Sequence, residues 1–218
     1  MLRSLVGSEM CIRDSSNIER RMNLKQLSLT LKIRLICDFF QNMIVTAFLP
    51  FMALYLTDMV NQHFSGLFLF ALVMINFPIS IISGHIIERL PKKTLTLSYQ
   101  LILSVMLVIM AITISEQVYM IILFCIAYAI FSITIGMQQP IMDTIIMDAI
   151  TPEVEQYIYK VSYWLTNIAV AFGALIGGLM YGAHKSMLFF IAFVIYIMVF
   201  IALIVWLPKD LNLSLIHI

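Results

Sequence analysis

The chain has 218 residues, 62% of them hydrophobic and 11% charged, with a net charge of +1 and a mean hydropathy of +1.00. A soluble domain carries about 25% charged residues, and one soluble core could not hide this much apolar surface, so the composition points to lipid as the solvent. The sequence also lacks a basic patch suited to a nucleic-acid backbone, a phosphate-cradling Gly-x-x-x-x-Gly-Lys loop, and any metal-ligand or nucleophile–base spacing. Nucleic acid, a metal, a cofactor and enzymatic chemistry are therefore not expected.

In chain order, the first stretch is foreign. Leu5 to Ser15 read LVGSEMCIRDS, which resembles the translation of a transposase adapter used to build sequencing libraries. The tail Leu213 to Ile218, LSLIHI, is what the reverse complement of the same adapter end encodes. Residues 1–15 and 213–218 are accordingly expected to be cloning artefacts and are set aside like a fusion scar. Arg3, Cys11, Arg13 and His217 then carry no role, Met22 is the expected natural start, and the natural protein is expected to continue beyond Asn212. Residues 16–34 read as a polar, basic, cytoplasmic lead-in.

Residues 35–207 read as a bundle of six membrane-spanning helices, all-α and polytopic. About 20 apolar residues cross a hydrocarbon core of ~30 Å. The expected spans are Leu35–Thr57 with Pro50 inside, Gly66–Ile87 with Pro78 inside, Leu95–Ser115, Val118–Asp148 broken near Gly136 and Pro140, Val161–Gly182, and Met187–Leu207. Between them lie a short turn at Asp58–Ser65, a charged hairpin at Gly84–Lys93, an exit turn at Glu116–Gln117, a polar loop at Ala149–Lys160 and a tight turn at Ala183–Ser186. Cys37 and Cys125 fall inside spans and read as small buried hydrophobes.

Charge orients the spans. With the N-terminus in the cytoplasm, the inner loops hold Arg20, Arg21, Lys25, Lys32, Arg34, Arg89, Lys92, Lys93, Lys160 and Lys209, while the outer loops hold Lys185 alone. This asymmetry is the positive-inside pattern. It places the protein in the cell membrane with an inner N-terminus and the Gly84–Lys93 hairpin on the cytoplasmic side.

The hairpin reads Gly84-His-Ile-Ile-Glu-Arg-Leu-Pro-Lys-Lys93. Gly84, Glu88, Arg89, Lys92 and Lys93 resemble the loop between helices two and three of the major facilitator superfamily of secondary transporters. That loop runs Gly, three residues, Asp, Arg, one residue, Gly, then two basic residues; Pro91 stands here where the family usually has Gly. Gly173-Ala-Leu-Ile-Gly-Gly178 is similar to the family's antiporter-associated Gly-Pro-x-x-Gly-Gly, with Ala174 in place of the Pro and Ala169 in place of the small residue four positions earlier. Gly173, Gly177 and Gly178 read equally as a packing face, since small residues let helix backbones approach closely in lipid. Gly136 to Pro152, with Asp143 and Asp148, looks like the family's fourth helix and its exit, without the basic residue common in that helix.

The resemblance covers roughly Ile33 to Leu207 and implies the N-terminal half of a twelve-helix carrier, built of 3+3 inverted repeats. A missing C-terminal six-helix half, a small-molecule substrate and protons are its implied partners besides the bilayer. The hairpin would latch the cytoplasmic helix ends, with Asp148 or Asp143 as partner of Lys92 or Arg89.

Asp38 is the one acid within the first span. A charge near the bilayer centre costs about 3 kcal/mol or more and should face a cavity or a partner. Two readings stand for it: an i,i+4 pair with Arg34, or a site that binds and releases the coupling proton. Gln41, Asn42, Asn76, Gln100, Gln138, Gln139 and Asn167 form the cavity list, and interhelical hydrogen bonding is their simpler role. Proton-coupled export of small hydrophobic molecules is the leading functional expectation. Sugar or metabolite uptake by the same fold, or a six-helix protein with no transport role, are the alternatives.

Overall fold

A computed structural model describes residues 27–114, 117–150, 152–182 and 185–206. The adapter-like ends, Arg20, Arg21, Lys25 and Lys209 lie outside the described residues. Six helices follow one another: α1 (Leu29–Met59), α2 (Gln62–Arg89), α3 (Lys92–Thr113), α4 (Val118–Ala149), α5 (Pro152–Tyr181) and α6 (Lys185–Trp206). Each is long and apolar enough to cross a bilayer, and no strand occurs among the described residues.

The helices run further than the charges suggest. The hairpin expected over ten residues is a two-residue turn. Gly84 to Arg89 finish α2, and Lys92 and Lys93 open α3. Pro91 explains the sharp stop, because it bars the helical region to the residue before it. Leu90 is accordingly extended (φ −122°, ψ 151°). Pro91 itself caps α3 at φ −57°. No described residue has a positive φ, so nothing in this turn requires the glycine that the family usually places there. The polar loop expected at Ala149–Lys160 is likewise mostly helical, since α4 runs to Ala149 and α5 starts at Pro152, and the turn expected at Asp58–Ser65 shrinks to Val60 and Asn61. Asn61 caps α2 by accepting a bond from the Phe64 N–H at 2.8 Å.

The break expected near Gly136 and Pro140 is absent: α4 is continuous, as are α1 through Pro50 and α2 through Pro78. Prolines are tolerated inside spans because neighbouring groups re-satisfy the freed backbone. The lead-in expected through Arg34 is also helical from Leu29, where Ser28 caps α1.

The most extensive helix contacts are α1–α5, α3–α4 and α3–α6, followed by α2–α4, α1–α6 and α1–α2. Exchanging α1–α3 for α4–α6 turns α1–α5 into α4–α2, α3–α4 into α6–α1, and α3–α6 into itself. That pattern is the signature of an internal two-fold repeat of three helices. The α1–α2 contact has no comparable counterpart. The repeat also accounts for burial, since its equivalent helices α2 and α5 are the least buried of the six.

A core of aromatic and aliphatic side chains fills the centre, with Phe48, Tyr55, Phe124, Phe131, Phe189 and Tyr196 in ring-to-ring contact. A second cluster (Cys37, Ile141, Ile145, Leu203) lies towards the N-terminal end of α1. The outer surface is as apolar as the core: Leu67, Phe77, Val118 and Leu179 are each more than two-thirds exposed. In water such a surface would drive association; in lipid it is solvated.

Candidate functional site

The bundle's polar side chains gather at distinct depths. Near the inner end expected from the charge pattern, Arg34 is buried at 2% exposure and forms an ion pair with Asp38, one turn on along α1. Asp143 on α4 lies close enough to act electrostatically on the guanidinium, and it accepts a weak bond from Gln139 at 3.4 Å. Asn42 donates to the Asp38 carbonyl at 2.9 Å. An unpaired guanidinium at this depth would be strongly destabilising, so the ion pair with Asp38 is what holds Arg34 there. The i,i+4 pairing read from the sequence is therefore formed, and it shares a neighbour with an acid from a different helix.

One to two turns deeper, three helices meet through amides. Gln100 on α3 is fully buried. Its Oε1 accepts from Gln41 Nε2 on α1 at 2.7 Å and from Gln138 Nε2 on α4 at 2.9 Å. Its own Nε2 donates to the Tyr196 carbonyl on α6 at 3.1 Å. Four helices are thus cross-linked at one side chain. A buried amide left without partners would cost more than the bonds return, which gives the knot a single register.

A third polar contact joins α2 to α4. Asn76 Nδ2 donates to Ser132 Oγ at 2.9 Å, and the Asn76 side chain sits on Gly136, where an added Cβ would come 2.6 Å from its Oδ1. Two turns further along α2, Ser83 donates to the Met137 carbonyl at 2.7 Å. Beside Asn76 and Ser132 lies a cavity of about 330 Å³, otherwise lined by apolar and aromatic side chains such as Leu49, Leu72, Tyr128 and Phe131. That size and lining suit a small apolar body with few polar anchors.

Of the other expected cavity residues, Gln139 is exposed on α4 next to Asp143, and Asn167 is exposed on α5 with its amide on the Tyr163 carbonyl of its own helix. The structure does not join Asn167 to the rest.

The glycines of α5 do close packing. A Cβ at Gly173 would strike the Met43 carbonyl of α1, and one at Gly177 would strike the Ala47 carbonyl and the Phe51 ring. Gly178 points elsewhere, with only the Phe51 ring edge at 4.0 Å. Ala169, one turn before Gly173, is fully buried. The motif is thus a seam that brings two backbones together.

At the hairpin, Lys92 Nζ donates to Asp148 Oδ2 at 2.5 Å, tying the start of α3 to the end of α4. Lys93 reaches the Ile204 carbonyl of α6 at 3.3 Å. Glu88 and Arg89 are exposed, and no ion pair is formed by either among the described residues. Gly84 has open space around it.

Sequence reading missed several participants. Ser132 and Ser83 carry no charge and look like any small residue in a span. Arg34 was expected as a partner of Asp38 but not as buried, because a base near a span's end usually faces water. A cluster of Asp58, Tyr181 and Lys185 at the opposite end had one signal, the lone base among the turns expected outside.

Comparison with known proteins agrees with this architecture. The family model described as Major Facilitator Superfamily matches residues 28–214. A curated relative, the Na(+), Li(+), K(+)/H(+) antiporter of Planococcus maritimus, is 22% identical over 164 residues, which is 75% of this chain and 39% of that protein. The chain therefore spans about two fifths of the length of the relative it matches. Six apolar helices in a two-fold arrangement, a Gly–Glu–Arg–Lys–Lys hairpin and a family match covering most of the sequence lead to one conclusion: the chain belongs to the Major Facilitator Superfamily of membrane transporters.

Proposed function

We propose that this chain is the N-terminal six-helix half of a proton-coupled secondary transporter in the cell membrane, exporting small molecules with an apolar body. The observation that carries the reading is the ion pair of Asp38 with the buried Arg34, on which Asp143 of α4 also acts electrostatically. A carboxylate inside a span that shares one cation with a second carboxylate can change protonation without leaving the cation unpaired. Asp38 takes a proton from one side and releases Arg34, which then leans on Asp143. When the cavity opens to the other side, the proton leaves and the original pair re-forms. The antiporter relative supports coupling to protons, and the apolar cavity beside Asn76 supports an apolar cargo.

The hairpin supplies the mechanics in this reading. The Lys92–Asp148 pair clamps α3 to α4 within the half, and the exposed Glu88 and Arg89 engage a second six-helix half on the cytoplasmic side. The two halves enclose the substrate and rock about it. Residues 1–15 and 213–218 are cloning artefacts in the same reading and take no part.

The test uses the gene's complete product in proteoliposomes with a pH-sensitive dye inside. Monovalent cations and a lipophilic cation such as ethidium are supplied as substrates. Asp38→Asn is expected to reduce substrate-driven proton movement to the level of empty vesicles while preserving the size-exclusion profile. Proton movement as large as that of the parent protein would remove Asp38 from the coupling.

A further inference from the structure

The bundle end opposite the Lys92–Asp148 pair holds charge and aromatic rings in an arrangement that the transport reading does not use. Asp58 lies in the last turn of α1, Tyr181 ends α5 and Lys185 opens α6. Lys185 Nζ stands 4.6 Å from the centroid of the Tyr181 ring and 5.5 Å from that of Tyr55. It also lies 3.9 Å from Asp58 Oδ2, the same oxygen to which the Tyr181 hydroxyl donates at 3.1 Å. The rings are fixed from behind: Tyr181 stacks on Phe51 at 5.0 Å, and the buried Tyr55 packs on Phe124 at 4.7 Å.

Neither charge suits its own helix. A carboxylate at a C-terminus and an ammonium at an N-terminus each oppose the helix dipole. They are held by each other and by the rings, which attract cations through their electron-rich faces. Behind the rings, the space lined by Phe48, Tyr55, Tyr181, Leu188 and the Lys185 side chain is only about 10 Å³, at most the room of one water, and the Lys185 ammonium stands over the Tyr181 ring.

We propose that Tyr55, Tyr181 and Asp58 form a binding site for the ammonium head of an organic cation, and that Lys185 is its tethered occupant. The chemistry selects weakly hydrated alkylammonium groups of about methyl size. One carboxylate with two rings cannot replace the water shell of a divalent cation, which wants six or more oxygens. Lys185 can leave without disturbing the core, because its side chain is a quarter exposed and the space around nearby Gly182 is open. The site does not depend on proton coupling at Asp38.

The experiment titrates tetramethylammonium into the purified chain in phosphatidylglycerol nanodiscs by calorimetry, with empty discs subtracted. A tethered group competes at an effective concentration in the millimolar range. Lys185→Ala should therefore bind about tenfold or more tightly than the parent chain, and Lys185→Ala with Tyr181→Leu should lose that gain. The uncharged tert-butanol should bind to neither. Equal affinity in Lys185→Ala and parent, or a gain that survives Tyr181→Leu, would overturn the proposal. If Lys185→Ala elutes as aggregate, Lys185→Met keeps the apolar stem and replaces it; aggregation of both would show a purely structural lysine and also overturn the proposal. Repeating Lys185→Ala in phosphatidylcholine discs names the source of the ammonium. Suppressed titration there identifies the lipid headgroup, and unchanged titration identifies a soluble cation.

Discussion

Gln100 has no exposed surface, and its one amide answers to Gln41, Gln138 and the Tyr196 carbonyl. Gln100→Leu is nearly equal in volume but strands the side-chain amides of Gln41 and Gln138. It is expected to destabilise the bundle by about 1–3 kcal/mol, read as a lower thermal midpoint in detergent. Gln139→Leu, at an exposed position, should leave the midpoint almost unchanged. The sequence names all of these residues as polar groups in spans but cannot say which of them meet. The reason is physical: helices that are apolar on every face carry no periodic signal for which side points inward. The Arg34–Asp38 pair was legible in advance, because i,i+4 neighbours share a helix face whatever the tertiary structure, and Lys92–Asp148 was among the pairings that the family resemblance implied.

Between elements, the α1–α5 seam rests on two glycines whose neighbours differ from those of a third. Gly177→Ala must push its Cβ into the Ala47 carbonyl, whereas Gly178→Ala meets only a ring edge at 4.0 Å. Overpacking of this kind costs about 1–3 kcal/mol, so thermal unfolding should separate the two variants clearly. Equal midpoints would mean that α1 and α5 are not in this contact. The Lys92–Asp148 pair makes a second prediction at this scale. A double-mutant cycle with Lys92→Met and Asp148→Asn should show a coupling of about 0.5–3 kcal/mol in unfolding, and additive effects would deny the pair. The same cycle with Arg89 in place of Lys92 should be additive. Element boundaries were the least legible feature of the sequence. Charges mark where the chain meets water, but a helix continues past that boundary while its backbone bonds persist. Glu88, Arg89, Lys92 and Lys93 are all helical, and Pro91 alone marks the turn.

For the whole molecule, the six spans and their two-fold contact pattern follow from the repeated need of apolar helices to bury small and polar faces together. The number of spans was legible because hydropathy and length suffice for it. The pairing of α1 with α5 and of α2 with α4 was not, since it depends on which helix offers a groove at Gly136, Gly173 and Gly177. The two-fold leaves α2 and α5 exposed on equivalent flanks, where the proposed second half has surface to meet.

The most direct measurement is cysteine labelling in intact cells, on a background without native cysteines. His63→Cys lies at the start of α2 and Glu88→Cys at its end, both exposed. A membrane-impermeant maleimide should label position 63 from outside and position 88 only after the cells are permeabilised. Labelling of position 88 in intact cells, with position 63 protected, would contradict a hairpin that works from the cytoplasm.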